Sequence, residues 1–409
     1  MRIAFVADGH SPIAQAWMDH FIRAGDEVHL ISTYPCLSDP RLASQRFVPV
    51  AFSGLGDPVS PLVRPRGTSP LDWLRTAAGI RWRVVLRHWL GPLTIRRAAA
   101  HVRVALSQIG PDLVHAMRVP FEGMVAAAAQ PAAPLVCSTW GNDFTFHARA
   151  TPAMASATRR TMQRVDALHV DCRRDLRLAA EWGLRAGCPS IVLPGNGGVQ
   201  RTIFHPVEGA EASVSGAVQD ALRSISENAP VVINPRGFRV YVRHDTFFRM
   251  IPHVLASIPE VRFLCPAMAA EPLAERWVRA WGISERVVLL PRLSAEGMAA
   301  AFRRAAVVVS LGVHDGTPNT LLEAMACGCV PVAGDLESIR EWIDPEVNGL
   351  LVDSADAHSV AEAVKRALTD RALVDRSRQT NARLIAERAD YPAVMRQAEE
   401  FYSGLIAGN

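Results

Sequence analysis

Along almost its whole length the chain alternates between short apolar runs and longer segments whose apolar residues recur three and four positions apart. Residues 3–7 read as a buried strand, Asp8-Gly9-His10-Ser11-Pro12 as a loop, and the stretch through Trp17 and Phe21 as a helix. Gly25-Asp26 then turns the chain into a second strand over 28–32. A strand–helix–strand start predicts a parallel sheet with right-handed crossovers. The rhythm recurs at 111–115, 135–138, 165–170 and 190–193, each a short apolar run followed by a helical pattern or a loop. Residues 207–229 interrupt it with small and polar residues and no strand signal. A second series opens at 231–234 and continues at 261–265 and 287–290. The pattern predicts an α/β protein of two parallel-sheet domains, 1–206 and 230–385, joined through 207–229, with a terminal helix within 386–409 packing back on the first.

The fullest unit of the pattern is 307–332. It predicts a buried strand from Val307, the loop Asp315-Gly316-Thr317-Pro318-Asn319, a helix with Leu321, Leu322, Met325 and Ala326 on one face, and a strand at Val330. Thr317 suits the N-cap and Pro318 the first helical position, where its missing N–H costs nothing. Gly328 ends the helix. A helix start that follows a parallel strand offers free N–H groups and positive dipole charge, which makes it an anion site. Asp315 and Glu323 bracket it.

Composition narrows the partners. With 409 residues the chain has room for two domains, and a net charge of +4 gives no bulk attraction to nucleic acid. Lys365 is the only lysine, so basic charge is carried by arginine. Seven scattered cysteines, with Cys327-Gly-Cys329 the only close spacing, read as reduced buried thiols and not as a metal cage. No Asp-x-Asp motif is present, and no metal or other cofactor is expected. No apolar run approaches the roughly 18 residues of a spanning helix, and the N-terminus does not read as a signal segment, so the expected location is cytoplasmic.

Residues 64–103 differ from the rest, with nine arginines (64, 66, 75, 81, 83, 87, 96, 97, 103) against Asp72 alone. Trp82, Val85, Leu86, Trp89 and Leu93 fall on one helical face. Two readings stay open. One is peripheral contact of 75–97 with an anionic membrane, at its inner face, or with an acidic acceptor; the other is a helix packed on its own domain with arginines in solvent.

Further candidate chemistry sits on loops. Arg236, Arg239 and Arg243 follow the strand at 231–234, and arginine fits phosphate bidentately. Thr139-Trp140-Gly141-Asn142-Asp143 follows the strand at 135–138, with Asp143 its only ionisable side chain, and His115 ends the strand at 111–115.

Asp315 … Glu323 followed by AMACG and CVPV, the Gly195-Asn196-Gly197-Gly198-Val199 … Phe204-His205-Pro206 strap and Asn348-Gly349-Leu350-Leu351-Val352 together resemble family 4 of the retaining glycosyltransferases, which have the GT-B fold. The resemblance implies two Rossmann-like domains facing across a cleft and a nucleotide diphosphate-sugar, UDP by default, as co-substrate. It implies that Glu323 holds the ribose hydroxyls and that Gly316, Thr317, Pro318, Asn319 and Thr320 meet the sugar and phosphates. Asp315 takes the place of a Glu that reaches the sugar ring. Arg236 and Arg243 take the diphosphate, with Arg239 as competitor to Arg243, and Gly9 lies in a loop facing the donor. Trp140 stands where relatives have a histidine. Asp143 is the candidate for acceptor contact, with Trp140, Asn142, His115 and His10 on the same side. The implied catalytic set is Asp315, Asp143 and Arg236, in a metal-free front-face transfer with retention to a hydroxyl of a glycan, a lipid-linked acceptor or a secondary metabolite. Two alternatives remain: a non-catalytic binding protein of this fold, and a nucleotide-sugar epimerase.

Overall fold

The computed structural model describes residues 1–53, 77–206 and 216–408, with side chains from 82 in the second stretch. Arg64, Arg66, Asp72, Arg75 and the Arg81 side chain therefore lie outside the described residues, as do 207–215 of the connection. The chain divides into two compact units, Met1–Gly198 with Pro392–Asn409, and Val199–Tyr391. The division follows Gly198 because Val199 and Phe204 are buried in the core of the second unit. Helix α6 (Ala217–Arg223) joins them there through Val218 and Ala221, so the described part of the connection packs as part of that unit.

The first unit is built on a seven-stranded sheet of β1 (Arg2–Ala7), β2 (Glu27–Ser32), β3 (Ser44–Phe47), β4 (Leu113–Ala116), β5 (Leu135–Thr139), β6 (Ala167–Val170) and β7 (Ser190–Val192). Its order is β3-β2-β1-β4-β5-β6-β7, parallel throughout. Every residue of β4, β5 and β6 is buried, as expected for parallel strands covered on both faces. The edge strand β3 is half exposed and polar (Ser-Gln-Arg-Phe), which is why no apolar run announces it. Ser11 caps α1 (Pro12–Arg23) by accepting the Ala14 N–H, with proline at the first position.

Under this sheet lies a string of polar groups. Tyr402, on the C-terminal helix α13 (Tyr391–Ala407), hydrogen-bonds His115 Nδ1; His115 Nε2 lies 2.7 Å from Ser138 Oγ. Ser138 Oγ lies 2.8 Å from His169 Nδ1, and His169 Nε2 lies 3.1 Å from the Leu193 carbonyl. Burial holds both rings neutral: it lowers His169 to about 4 and, with His169 beside it, lowers His115 well below the ordinary range. Trp17 stacks against Tyr402 and donates its indole N–H to the Gly195 carbonyl at 2.8 Å.

The second unit carries a six-stranded parallel sheet of β8 (Val231–Ile233), β9 (Arg262–Cys265), β10 (Val287–Leu289), β11 (Val307–Ser310), β12 (Val330–Gly334) and β13 (Leu350–Val352), in the order β10-β9-β8-β11-β12-β13. In both sheets the order reverses beside the first strand of the unit, between β1 and β4 and between β8 and β11. Ligands of such sheets bind outside the carboxyl ends of the strands at that switch point. Among the described residues no helix is long and apolar enough to cross a membrane.

Candidate functional site

At the β8/β11 switch point two loops meet. Asn234 directly follows β8, and its Oδ1 accepts the Arg236 N–H at 3.1 Å, curling the loop so that the Arg236 side chain turns toward β11. Arg236 Nη2 lies 2.9 Å from Asp315 Oδ2, and both side chains are only 14% exposed. A side chain at Gly312 would place its Cβ 2.6 Å from the same Asp315 oxygen, so glycine is needed for the carboxylate to sit there. Ser338 donates its hydroxyl to the Asp315 carbonyl at 2.6 Å.

The helix after this loop, α10 (Asn319–Ala326), starts later than its sequence predicts. Pro318 is the N-cap and offers no side-chain bond. The Thr317 hydroxyl, expected to cap, instead accepts the indole N–H of Trp342 at 2.9 Å, a partner far away in sequence. The first N–H groups of α10 are thus left uncapped at the carboxyl end of the sheet. Asn319 Oδ1 and Thr320 Oγ1 are buried without a hydrogen-bond partner among the described residues. Glu323 lies one turn on, on the same face, with no partner among the described residues, and burial raises its carboxyl to about 7. Polar groups that are desolvated and unpaired cost stability, so this face is prepared for a polar ligand. Gly328, at φ +92°, lets the chain leave the helix.

The three arginines separate. Arg243 makes a bidentate pair with Asp245 (2.9 and 2.9 Å), which Arg249 shares at 2.8 Å. Arg239 donates to the Phe238 carbonyl at 2.9 Å. Arg236 alone of the three reaches Asp315. A residue that the sequence did not mark joins them: His244 Nε2 accepts the Arg239 N–H at 3.4 Å, so its proton sits on Nδ1, which is buried without a partner. Burial, then Arg236 and Arg239, pull His244 down to about 3. Phe238 stacks on its ring at 4.5 Å.

In the first unit the candidates have structural employment. Asp143 is buried; it accepts Arg118 Nη2 at 2.6 Å and the N–H groups of Val119 (3.1 Å) and Trp140 (3.2 Å). Its oxygens staple the loop after β5 to the segment that follows β4 and are not presented to an acceptor. Asn142 Oδ1 lies 3.3 Å from the same guanidinium. His115 is fully enclosed in the string under the sheet. Gly9 is a glycine for packing: a Cβ there would collide with Cys36 Sγ, and its N–H donates to Ser32 Oγ at 3.1 Å. Trp140 is half-buried, its ring lying where a side chain at Gly195 would go. His10 is exposed beside Asp8.

One group among the described residues has metal-ligand spacing, the buried Asp171, Cys172 and Asp175. The cation there is already a guanidinium: Arg174 Nε lies 2.8 Å from Asp175 Oδ1, and burial holds the Cys172 thiol well above its ordinary range.

Residues 229–370, which contain the Arg236–Asp315 pair and α10, match the family model of glycosyl transferases group 1. A D-inositol 3-phosphate glycosyltransferase of Salinispora tropica is 34% identical over 107 residues, 25% of this chain and 22% of the relative. One from Xylanimonas cellulosilytica is 25% identical over 177 residues, 42% of each chain. The chain thus matches less than half the length of these curated relatives. Solved structures cover it end to end: sucrose-phosphate synthase of Thermosynechococcus elongatus (TM-score 0.73, 16% identity, 100% of both chains) and Anabaena HepE in complex with UDP-glucose (0.70, 14%, 99% of this chain and 100% of that one). The fold of these structures is GT-B, and this chain shares it.

Proposed function

From the premise that residues 229–370 form a glycosyl transferases group 1 domain, we propose that the protein is a retaining, family 4-type glycosyltransferase. It moves a sugar from a UDP-sugar to a hydroxyl acceptor such as a glycan, a glycolipid or a secondary metabolite. The observation that carries this reading is the face of α10, where the buried oxygens Asn319 Oδ1 and Thr320 Oγ1 and the half-buried Glu323 carboxyl stand without partners among the described residues, beside the Arg236–Asp315 pair. Structural relatives described as complexes with UDP-glucose and with UDP-2-fluoro glucose support UDP as the nucleotide.

In this reading Glu323 accepts from the ribose hydroxyls, and the uncapped amides of α10 with Arg236 hold the diphosphate. As the glycosidic bond breaks, negative charge grows on the leaving phosphate. Arg236 and the helix start are fixed in place to meet it, which is electrostatic stabilisation without reorganisation. The leaving phosphate oxygen takes the acceptor's proton on the same face of the sugar, so no protein nucleophile is needed. Asp143, whose oxygens are all engaged, does not serve as base. Asp315 orients the sugar, and on donor binding the Arg236 guanidinium passes from Asp315 to the diphosphate. The transfer proceeds without a metal ion.

Titration calorimetry against UDP-, GDP-, ADP- and dTDP-glucose in EDTA tests this. Saturable binding of the UDP compound, lost by about ten- to a hundredfold in Arg236→Ala, is the expected result, given roughly 1.5–3 kcal/mol for a charged hydrogen bond. A well-folded protein that binds none of the four would leave the proposal without a donor. Retention is read from the anomeric proton coupling of the product.

A further inference from the structure

Helix α2 (Ala77–Ile109) presents two unlike sides. Its inner side, with Ile95, Ala98, Val102 and Leu106, is buried in the core of the first unit. Gly91 fixes the seating, because a Cβ there would stand 2.6 Å from the Phe121 ring. Arg87 is also turned inward, its guanidinium 5.3 Å from the Tyr34 and Phe121 rings. On the outer side Trp82 (59% exposed), Leu86 (50%), Trp89 (61%) and Leu93 (78%) follow at steps of four, three and four, a single helical stripe. Val85 and Leu90 flank it, also exposed. The Ala51 N–H, donating to Thr94 Oγ1 at 2.8 Å, brings the loop that carries exposed Phe52 against the helix. Elsewhere among the described residues exposed large apolar side chains are scattered, and single ones need no explanation.

Charge says what this stripe meets. Exposed Arg83 borders it, and exposed Arg96 and Arg97 follow within a turn of Leu93 on the same side. The 33 residues of α2 contain no Asp or Glu. A second copy would set this cationic row against itself. The chain's own residues 54–76 carry three arginines and two aspartates, and would likewise add positive charge. Two tryptophans and leucines in one row beside bare arginines match the boundary between headgroups and acyl chains in an anionic bilayer.

We propose that α2 is a peripheral membrane-docking helix. It lies in the interface of an anionic lipid surface, with Trp82, Leu86, Trp89 and Leu93 at the acyl boundary and Arg83, Arg96 and Arg97 on lipid phosphates. The proposal stands independently of the catalytic reading.

Flotation of the full chain with vesicles of phosphatidylcholine, with and without phosphatidylglycerol, tests it. The expected result is binding to the anionic vesicles alone, weakened by salt. Trp82→Gln/Trp89→Gln/Leu93→Gln should abolish it with an unchanged melting temperature, since these side chains are exposed. Arg83→Gln/Arg96→Gln/Arg97→Gln should weaken it roughly fivefold per arginine and remove the salt dependence. The proposal is overturned if the wild type does not float with anionic vesicles, or if both triple variants float as it does. It is equally overturned if sedimentation shows a dimer that the tryptophan variant dissolves.

Discussion

Glu323 is where a single residue makes opposite demands on stability and binding. Burial lifts its carboxyl from an ordinary 4.5 to about 7. Between those values the unfolded chain has released a proton that the folded chain keeps, so stability falls as pH rises through this window and levels off above about 7. At about pH 8 the folded protein carries an unpaired, largely desolvated carboxylate. Glu323→Gln should therefore raise stability there by about 1–3 kcal/mol, seen as a higher melting temperature, while leaving it nearly unchanged at about pH 4. The same variant should bind donor more weakly. For the wild type, donor affinity should tighten as pH rises through about 7, because the ionised carboxylate is the better acceptor for ribose hydroxyls; calorimetry at either side of neutrality reads this, and the glutamine variant should be flat. The sequence marked Glu323 by its place on the helix. It did not mark His244, because nothing local distinguishes a histidine whose Nδ1 is buried without a partner.

Among the elements, the loop after β11 and the helix it feeds show how far local pattern reaches. The strand, the helix and Gly328 were legible from apolar spacing and a breaker residue. The start of α10 was not, since Thr317 bonds Trp342, and only the folded chain brings them together. The Arg236–Asp315 pair was invisible for the same reason: each residue was a candidate, but their meeting depends on β8 and β11 being neighbours. Gly312→Ala tests whether the position of Asp315 matters. The added methyl must displace the carboxylate from Arg236. Under the proposed function, binding of a UDP-sugar should fall by about tenfold or more, while UDP, which has no sugar for Asp315 to orient, keeps its affinity or gains from a freed Arg236. Equal losses for both ligands would argue against a sugar contact by Asp315. At the other end of the helix, Gly328→Ala forces a side chain into the left-handed region and should cost about 1 kcal/mol in denaturant unfolding.

In the molecule as a whole, the parallel sheets were the most readable feature, because strands covered on both faces are written as continuous apolar runs. The exposed edge strand β3 escaped for the converse reason. What the candidates of the first unit do was the least readable, since Asp143 and His115 look reactive in one dimension and are fully engaged in three. Each unit also has its own switch point, so a ligand confined to one should leave its mark there. Hydrogen exchange with UDP should protect amides at 234–243 and 311–323 in the second unit, with a rise in melting temperature that grows with ligand concentration. The string of bonds beneath the first sheet has a direction. The Leu193 carbonyl can only accept, so His169 must carry its proton on Nε2 and take the Ser138 hydroxyl on Nδ1. Ser138 in turn takes the His115 Nε2 proton, and His115 Nδ1 takes that of Tyr402. One carbonyl thus sets the grammar of four side chains. Tyr402→Phe silences the first word and should cost about 1–3 kcal/mol. In the ancestry of this protein, positions 115, 138, 169 and 402 are therefore expected to be inherited as one phrase, exchanged together or not at all.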